Sequence, residues 1–289
     1  EGRCGGAALD VFDPEPLAKD SPLRGHPKIL LTPHLGASTV EAQEAVALDA
    51  CKALLTFLKG EGLEGAVNAG GLRMDMSDRQ RKFVDLASRM IALVQAAAGE
   101  PGVSAVKFTL RGESLAGRAD TLARFALADL LKRSLDQPVS LINAAMIAEQ
   151  RHIDVQTNIA ADTGEDRLAI ELSTKSQSHR VEGAIYADGL PRITHLDGYN
   201  MDMVPAGHMV LLTNADRPGR IGLVGKLFGD ASVNIAEMVI GRRPSTDGKG
   251  QVAMMILKVD NAPPPALLET LRKAEGIQSV ASVTLPALV

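Results

Sequence analysis

Two residues near the start of the chain, His34 and Glu15, have the chemistry needed for proton transfer at neutral pH. A carboxylate that accepts a hydrogen bond from one ring nitrogen holds an imidazole in one tautomer, and imidazoles titrate close to neutral pH. Both residues follow a short apolar stretch and lie in a proline-containing loop. In open α/β sheets such strand ends carry ligands and chemistry. Without further context, two unrelated loop residues would be the more common explanation.

The sequence around this pair resembles the D-2-hydroxyacid dehydrogenase family. Residues 8–16 (ALDVFDPEP) and 32–39 (TPHLGAST) are similar to its A-D-V-F-x-x-E-P and T-P-H-x-G-x-S-T segments. The resemblance implies that Glu15 orients His34, and that His34 exchanges the proton of a substrate hydroxyl while hydride passes to or from NAD. It also implies that Asp10 contacts the nicotinamide carboxamide and that Gly36 lets the backbone approach the nicotinamide. NAD, held in part by Asp10, His34 and Gly36, is therefore the expected cofactor.

Other parts of such an enzyme are not found in the sequence. No G-x-G-x-x-G fingerprint follows a predicted strand, no arginine that would clamp the substrate carboxylate is identified, and the first residue is not Met. We therefore expect this chain to be the C-terminal portion of a longer protein and to be inactive or nearly so by itself.

Composition restricts the remaining function classes. A net charge of -4 argues against nucleic acid and anionic membranes as partners, and 3% aromatic residues with no Trp argue against base stacking. No apolar run is long enough to span a membrane. Cys4 and Cys51 have neither metal-ligand spacing nor a disulfide framework. We expect reduced thiols, no bound metal and a cytoplasmic location.

The pattern of apolar residues predicts three domains. Residues 1–65 read as an α/β remnant of a Rossmann-type catalytic region, with a helix from a capping box at Ser38–Glu41 to about Lys59. Residues 66–205 read as an α+β intervening domain, beginning with a second capping box at Ser77–Gln80 and a helix whose apolar face is Phe83, Leu86, Ala87, Met90 and Val94. Strands are expected in this domain at Val103–Arg111, Ile153–Ile159, Arg167–Ser173, Arg180–Tyr186 and Pro191–Leu196. Residues 206–289 predict a ferredoxin-like βαββαβ domain, in which Pro218 takes the first position of a helix. We expect Ile221 on the buried face of that helix, a second strand that opens at Val233, and a polar hairpin loop over Arg242–Lys249.

The last domain resembles the ACT family of amino-acid sensors through residues 212–219 (LTNADRPG) and 229–235 (GDASVNI). The resemblance implies that Asn214, Asp216 and Asn234 contact L-serine, and that ACT domains pair edge to edge into a homo-oligomer. Helix N-termini also favour carboxylates. Asp216 as a simple helix cap is the alternative explanation for that residue, and the two roles are compatible.

Residues 139–148 (VSLINAAMIA) resemble the intervening domain in the long form of the D-3-phosphoglycerate dehydrogenase family. This resemblance implies oxidation of 3-phospho-D-glycerate to 3-phosphohydroxypyruvate, the entry step of serine synthesis. Two alternatives stay open: a serine-binding regulatory fragment, and a different D-2-hydroxyacid dehydrogenase with a fused sensor. Arg192 is a candidate anion contact in the intervening domain, although a solvated surface arginine is the better interpretation.

Overall fold

The protein is described from a computed structural model. The structure describes residues 4–59, 63, 65, 66, 69, 72, 74–99, 102–160, 164–243 and 251–288. The chain divides into two compact units, residues 1–66 and residues 67–289. None of the described helices is both long enough and apolar enough to cross a membrane.

The first unit contains two short parallel strands and one long helix. Strands β1 (Ala7–Leu9) and β2 (Ile29–Leu31) pair in register, and α1 (Val40–Leu58) follows. The predicted end of α1 near residue 59 is confirmed, whereas the capping box at Ser38 is wrong. Thr39 is the N-cap, and its side chain accepts from the Ala42 amide. No residue of α1 is buried.

The second unit begins with α2 (Asp78–Ala98), for which the predicted capping box is confirmed. The Ser77 hydroxyl accepts from the Gln80 amide, and the Gln80 side chain accepts from the Ser77 amide. Gly99 ends the helix in the left-handed conformation that glycine tolerates. The predicted apolar face is fully buried and consists of Phe83, Leu86, Ala87, Met90 and Val94.

A six-stranded sheet packs against α2. Its order is β4-β3-β5-β6-β7-β8, and neighbours are antiparallel except for β3 and β4. The strands are β3 (Val103–Arg111), β4 (Asp154–Ile159), β5 (Arg167–Thr174), β6 (Ser178–Ile185), β7 (Pro191–Leu196) and β8 (Tyr199–Met203). Helices α3 (Glu113–Ala116), α4 (Ala119–Ser134) and α5 (Ala144–Gln150) lie between β3 and β4 in sequence. The sequence did not predict β8.

The C-terminal region has the predicted βαββαβ order, and the mixed fold class is confirmed. Its elements are β9 (Gly207–Ala215), α6 (Arg220–Asp230), β10 (Ile235–Arg243), β11 (Val252–Val259), α7 (Pro265–Lys273) and β12 (Ile277–Leu285). They form an antiparallel sheet in the order β10-β11-β9-β12. The helices cover one face, and the other face shares a core with α2 through Met209, Leu211, Met254 and Ile256.

Three local predictions in this region are wrong. Gly219, with a φ of 88°, is the N-cap of α6, so Pro218 lies before the helix instead of at its first position. Ile221, predicted to lie on the buried face, is 54% exposed. The second strand begins at Ile235 instead of Val233. The predicted hairpin loop at 242–249 starts inside β10, and its residues 244–249 lie outside the described part of the chain.

Candidate functional site

The structure brings His34 and Glu15 together. Nδ1 of His34 lies 2.9 Å from Oε1 of Glu15, and the side chains are 57% and 35% exposed. An ionised carboxylate can only accept, so the geometry favours the tautomer in which Nδ1 donates to Glu15. Nε2, which has no partner among the described residues, then presents its lone pair. This arrangement can remove a proton from a hydroxyl or return one to a carbonyl oxygen.

The Asp10 carboxylate organises the loop that carries His34. Its Oδ1 accepts from the Thr32 hydroxyl at 2.5 Å and from the Leu35 amide at 2.8 Å, while Oδ2 accepts from the Gly36 amide at 2.7 Å. These bonds, that of Thr32 above all, lower the pKa of Asp10, against a smaller opposing effect of burial. His34 therefore sits in a loop fixed by an ionised carboxylate, with a φ of 56°.

Gly36 is close to the same carboxylate. A Cβ at this position would lie 3.2 Å from Oδ2 of Asp10, which is tight but avoidable. The family resemblance implies that the small residue at this position lets the backbone approach a nicotinamide. The structure adds a second reason, because the Gly36 backbone must come close enough to donate to Asp10. The sequence analysis did not assign a role to Thr32, although this hydroxyl residue lies only two positions before His34 and could have been considered as a partner of Asp10.

At the C-terminal end of β9, two of the predicted effector residues lie close together in sequence and in the fold. Asn214 is only 1% exposed; its Nδ2 donates to the Ala215 carbonyl, and its buried Oδ1 has no partner among the described residues. Asp216 forms an ion pair with Arg242, with 2.8 Å between Oδ2 and Nε, and its Oδ1 accepts a long hydrogen bond of 3.4 Å from Nη2. The sequence analysis also did not identify Arg242, because local patterns do not show which residue of β10 lies near the end of β9.

Asn234 lies at the opposite end of the same sheet. It precedes β10, where Ile235 pairs with Val259, and its Nδ2 donates to Asp260 at 2.8 Å. Val259 pairs in turn with His208, at the start of β9. Within one chain the structure therefore does not bring Asn234 near Asn214 and Asp216.

Arg192 is held by acidic side chains. Its guanidinium lies 2.8 Å from Asp188, 3.7 Å from Asp202 and 5.6 Å from the centre of the Tyr186 ring. These contacts support the interpretation of Arg192 as a structural surface residue. No group of three or more His, Cys, Asp or Glu side chains suited to a metal ion occurs in the part of the chain that the structure describes.

The chain thus carries a short α/β unit with the His34–Glu15 pair, followed in sequence by an α+β region and a ferredoxin-like sheet. Sequence comparison identifies the segments. The model of the D-isomer specific 2-hydroxyacid dehydrogenase NAD binding domain matches residues 1–36, that of the D-3-phosphoglycerate dehydrogenase intervening domain matches 79–197, and that of the ACT domain matches 208–276. These matches confirm the three family resemblances that the sequence motifs indicate.

The chain is similar over nearly its whole length to D-3-phosphoglycerate dehydrogenases. It is 35% identical to that of Synechocystis sp., 33% to that of Bacillus subtilis and 31% to that of Archaeoglobus fulgidus. These alignments cover 98%, 99% and 96% of this chain, but 50%, 54% and 52% of the relatives. The chain thus spans about half the length of these relatives and corresponds to their C-terminal portion.

Proposed function

We propose that this chain is the C-terminal part of an NAD-dependent dehydrogenase that oxidises 3-phospho-D-glycerate to 3-phosphohydroxypyruvate, in the cytoplasm and for serine synthesis. The observation that carries the proposal is the 2.9 Å contact between His34 and Glu15, in segments that match a 2-hydroxyacid dehydrogenase domain. The names of the relatives support this choice of substrate among 2-hydroxy acids.

The residues of this chain would supply the proton chemistry. Nε2 of His34 takes the hydroxyl proton of the 2-hydroxy acid as the carbon loses hydride, and Glu15 stabilises the imidazolium through Nδ1. NAD, when bound, supplies the hydride acceptor. The residues fit that cofactor, because Asp10 and Gly36 form a fixed, partly exposed loop next to His34. Asp10 would contact the carboxamide, and Gly36 would leave room for the ring.

His34→Ala tests the catalytic role in a protein extended by the upstream half that the relatives possess. Loss of the proton carrier should lower kcat by roughly 10²–10⁴-fold, measured as NADH formation from 3-phospho-D-glycerate. His26→Ala is a matched control, since His26 is exposed and its ring contacts its own loop at the Lys28 amide. Near-normal turnover in His34→Ala would exclude the proposed role. Faster turnover of other D-2-hydroxy acids would instead favour a different dehydrogenase of the same class.

We further propose that the ACT region binds L-serine between two copies of the chain. β10 is an edge strand of its sheet, and two edges that pair antiparallel place the start of one strand beside the end of the other. Such pairing would bring Asn234 of the partner subunit towards Asp216. Within one chain, Asn234 and Asp216 lie at opposite ends of the sheet. The carboxylate of Asp216 would bind the ammonium group, and the free amides at the start of α6 would favour the carboxylate.

Calorimetric titration of the 289-residue chain with L-serine tests the effector site. Asp216→Ala should abolish the binding heat, because the ammonium group loses its counter-charge. Asn234→Ala should weaken binding only if a second copy completes the site, and the oligomeric state is measured in parallel by sedimentation. Asp230→Ala, which removes an exposed carboxylate that pairs with Lys226, is the control. Unchanged serine affinity in Asp216→Ala would place the effector elsewhere. Serine binding without any dehydrogenase activity in the extended protein would favour the regulatory-fragment alternative.

A further inference from the structure

A cavity of about 600 Å³ opens where the ACT sheet meets the end of α2 and the turn between β7 and β8. We call it the inter-sheet cavity. One wall contains His179, Asp197 and Tyr199 from the six-stranded sheet and its turns, and the other contains Thr213 and Ser279 from the ACT sheet. Arg243, at the end of β10, also lines it. None of these residues takes part in the sites proposed above.

Tyr199 and Arg243 both line this cavity and both carry hydrogen-bond donors. Tyr199 is 2% exposed and contributes to the lining of the cavity. Burial raises the pKa of Tyr199, which the Asp197 carboxylate reinforces and Arg243 opposes, so the hydroxyl is a donor at neutral pH. The Arg243 guanidinium lies 5.1 Å from the centre of the Tyr199 ring and donates to the Asp197 carbonyl over a long 3.4 Å. Its planar fork suits carboxylates and phosphates.

Asp197, the acidic residue in the described lining of the cavity, is already hydrogen-bonded within the protein. Oδ2 of Asp197 lies 2.8 Å from Nδ1 of His179, and Oδ1 accepts from the Arg180 amide at 2.9 Å. Nδ1 of His179 therefore donates, and Nε2 is buried with no partner among the described residues. These two bonds use only part of the acceptor capacity of Asp197, and the nearby guanidinium of Arg243 offsets its negative charge beside the cavity.

The hydroxyl pair on the other wall also favours a ligand that accepts hydrogen bonds. The Thr213 and Ser279 oxygens are 2.7 Å apart, so one hydroxyl donates to the other and one O–H is left over. The described lining thus presents a guanidinium, a phenol and a hydroxyl as donors. Such a set matches an oxyanion in a partly apolar pocket.

We propose that the inter-sheet cavity binds a small oxyanion, a carboxylate or a phosphate, with Arg243 and Tyr199 as its principal contacts. A ligand there touches both sheets, so its binding stabilises the arrangement of the ACT sheet on the rest of residues 67–289. This inference is independent of the proposed dehydrogenase reaction.

The test uses the unusual scarcity of aromatic residues. The chain has two tyrosines and no Trp, so Tyr186→Phe leaves Tyr199 as the only chromophore beyond 280 nm. This protein is titrated separately with inorganic phosphate and with malonate, while chloride keeps the ionic strength constant. We expect a saturable near-ultraviolet difference spectrum, because the Tyr199 hydroxyl gains a charged acceptor. The probe that binds with the higher affinity shows whether the cavity prefers a phosphate or a carboxylate.

Calorimetric titration of variants of the full chain shows which residues contact the probe. Tyr199→Phe, which keeps the ring, and Arg243→Gln should each weaken the affinity for the preferred probe by about tenfold or more. Arg180→Gln removes a charge from the same sheet but leaves the cavity intact, since that side chain pairs with Glu171 and Glu182; its affinity should be unchanged. No saturable spectral change with either probe, or equal affinity in Tyr199→Phe and the unsubstituted chain, would overturn the proposal.

Discussion

At the scale of single residues, the role of Asp10 depends on its charge. One carboxylate accepts from the Thr32 hydroxyl and from the Leu35 and Gly36 amides, and so fixes the backbone on both sides of the proposed proton carrier. Two functions assigned to Asp10 are compatible, because a carboxylate offers about four lone-pair sites. Holding the loop uses three of these, which leaves room for one further donor such as a carboxamide.

The lowered pKa of Asp10 predicts how the loop responds to acid. A depressed folded-state pKa means that Asp10 contributes stability above its ordinary pKa of 3.8, and that this contribution is lost as pH falls through the lower folded value. In an NMR titration, the amide shifts of Leu35 and Gly36 should therefore change with a midpoint below 3.8. Asp10→Asn should remove this titration. A midpoint at or above 3.8 would contradict the prediction.

At the scale of elements, the two proposed capping boxes had opposite outcomes for a physical reason. Ser77 and Gln80 satisfy each other's backbone amides, as their spacing indicates. Ser38 has the same spacing to Glu41, but Thr39 follows it and is also a good N-cap. In the structure the Ser38 amide donates to the Leu35 carbonyl, so the loop organised by Asp10 extends one residue further and the helix begins later. Sequence pattern predicts that a cap exists more reliably than which neighbour provides it.

Substitutions at these two neighbours distinguish the caps. Thr39→Ala should destabilise the first turn of α1 by about 1 kcal/mol, because the Ala42 amide loses its acceptor. Ser38→Ala should have little effect, and it is the matched control one residue away. Hydrogen exchange of the Ala42 amide measures both. Faster exchange in Ser38→Ala than in Thr39→Ala would restore the original prediction.

Element boundaries set by glycine conformation or by distant strands were harder to predict. Pro218 has the right chemistry for the first helical position, but the left-handed Gly219 comes after it and moves the start of α6. β8 is five residues long and contains Asn200 and Asp202 at its exposed positions. The alternation of buried and exposed residues along β8 becomes clear only from the structure, in which Tyr199, Met201 and Met203 are buried.

At the scale of the whole molecule, the sequence predicted separate domains at 66–205 and 206–289, and these boundaries stay a prediction. The structure shows residues 67–289 as one compact unit with a core that includes both α2 and one face of the ACT sheet. Local patterns do not reveal such a core, since its partners lie more than 100 residues apart. Asp216 and Arg242 are only 26 residues apart, but their pairing depends on strand register, which local patterns do not reveal either. The inter-sheet cavity likewise combines residues from distant parts of the chain.

Arg89 illustrates this long-range organisation. It lies on α2, is 2% exposed, and pairs with Asp85 one turn earlier. Its guanidinium also donates to the backbone carbonyls of Pro205, Pro286 and Ala287. One side chain therefore ties α2 both to the segment before the ACT sheet and to the segment after it. The sequence could place Arg89 near the apolar face of α2 but could not supply these partners.

Arg89→Met should show whether this connection makes residues 67–289 unfold as one unit. The substitution keeps an unbranched, apolar stem, but it leaves three carbonyls without their donor, and each buried unpaired group costs about 1–3 kcal/mol. Urea unfolding followed by circular dichroism should lose about 3 kcal/mol and should change from one transition to two, because the ACT sheet then separates before α2 and its sheet. Arg81→Met, at an exposed position of the same helix, should stay within about 0.5 kcal/mol of the unsubstituted chain. A single transition with an unchanged midpoint in Arg89→Met would mean that the shared apolar core alone, without this arginine, couples the two sheets.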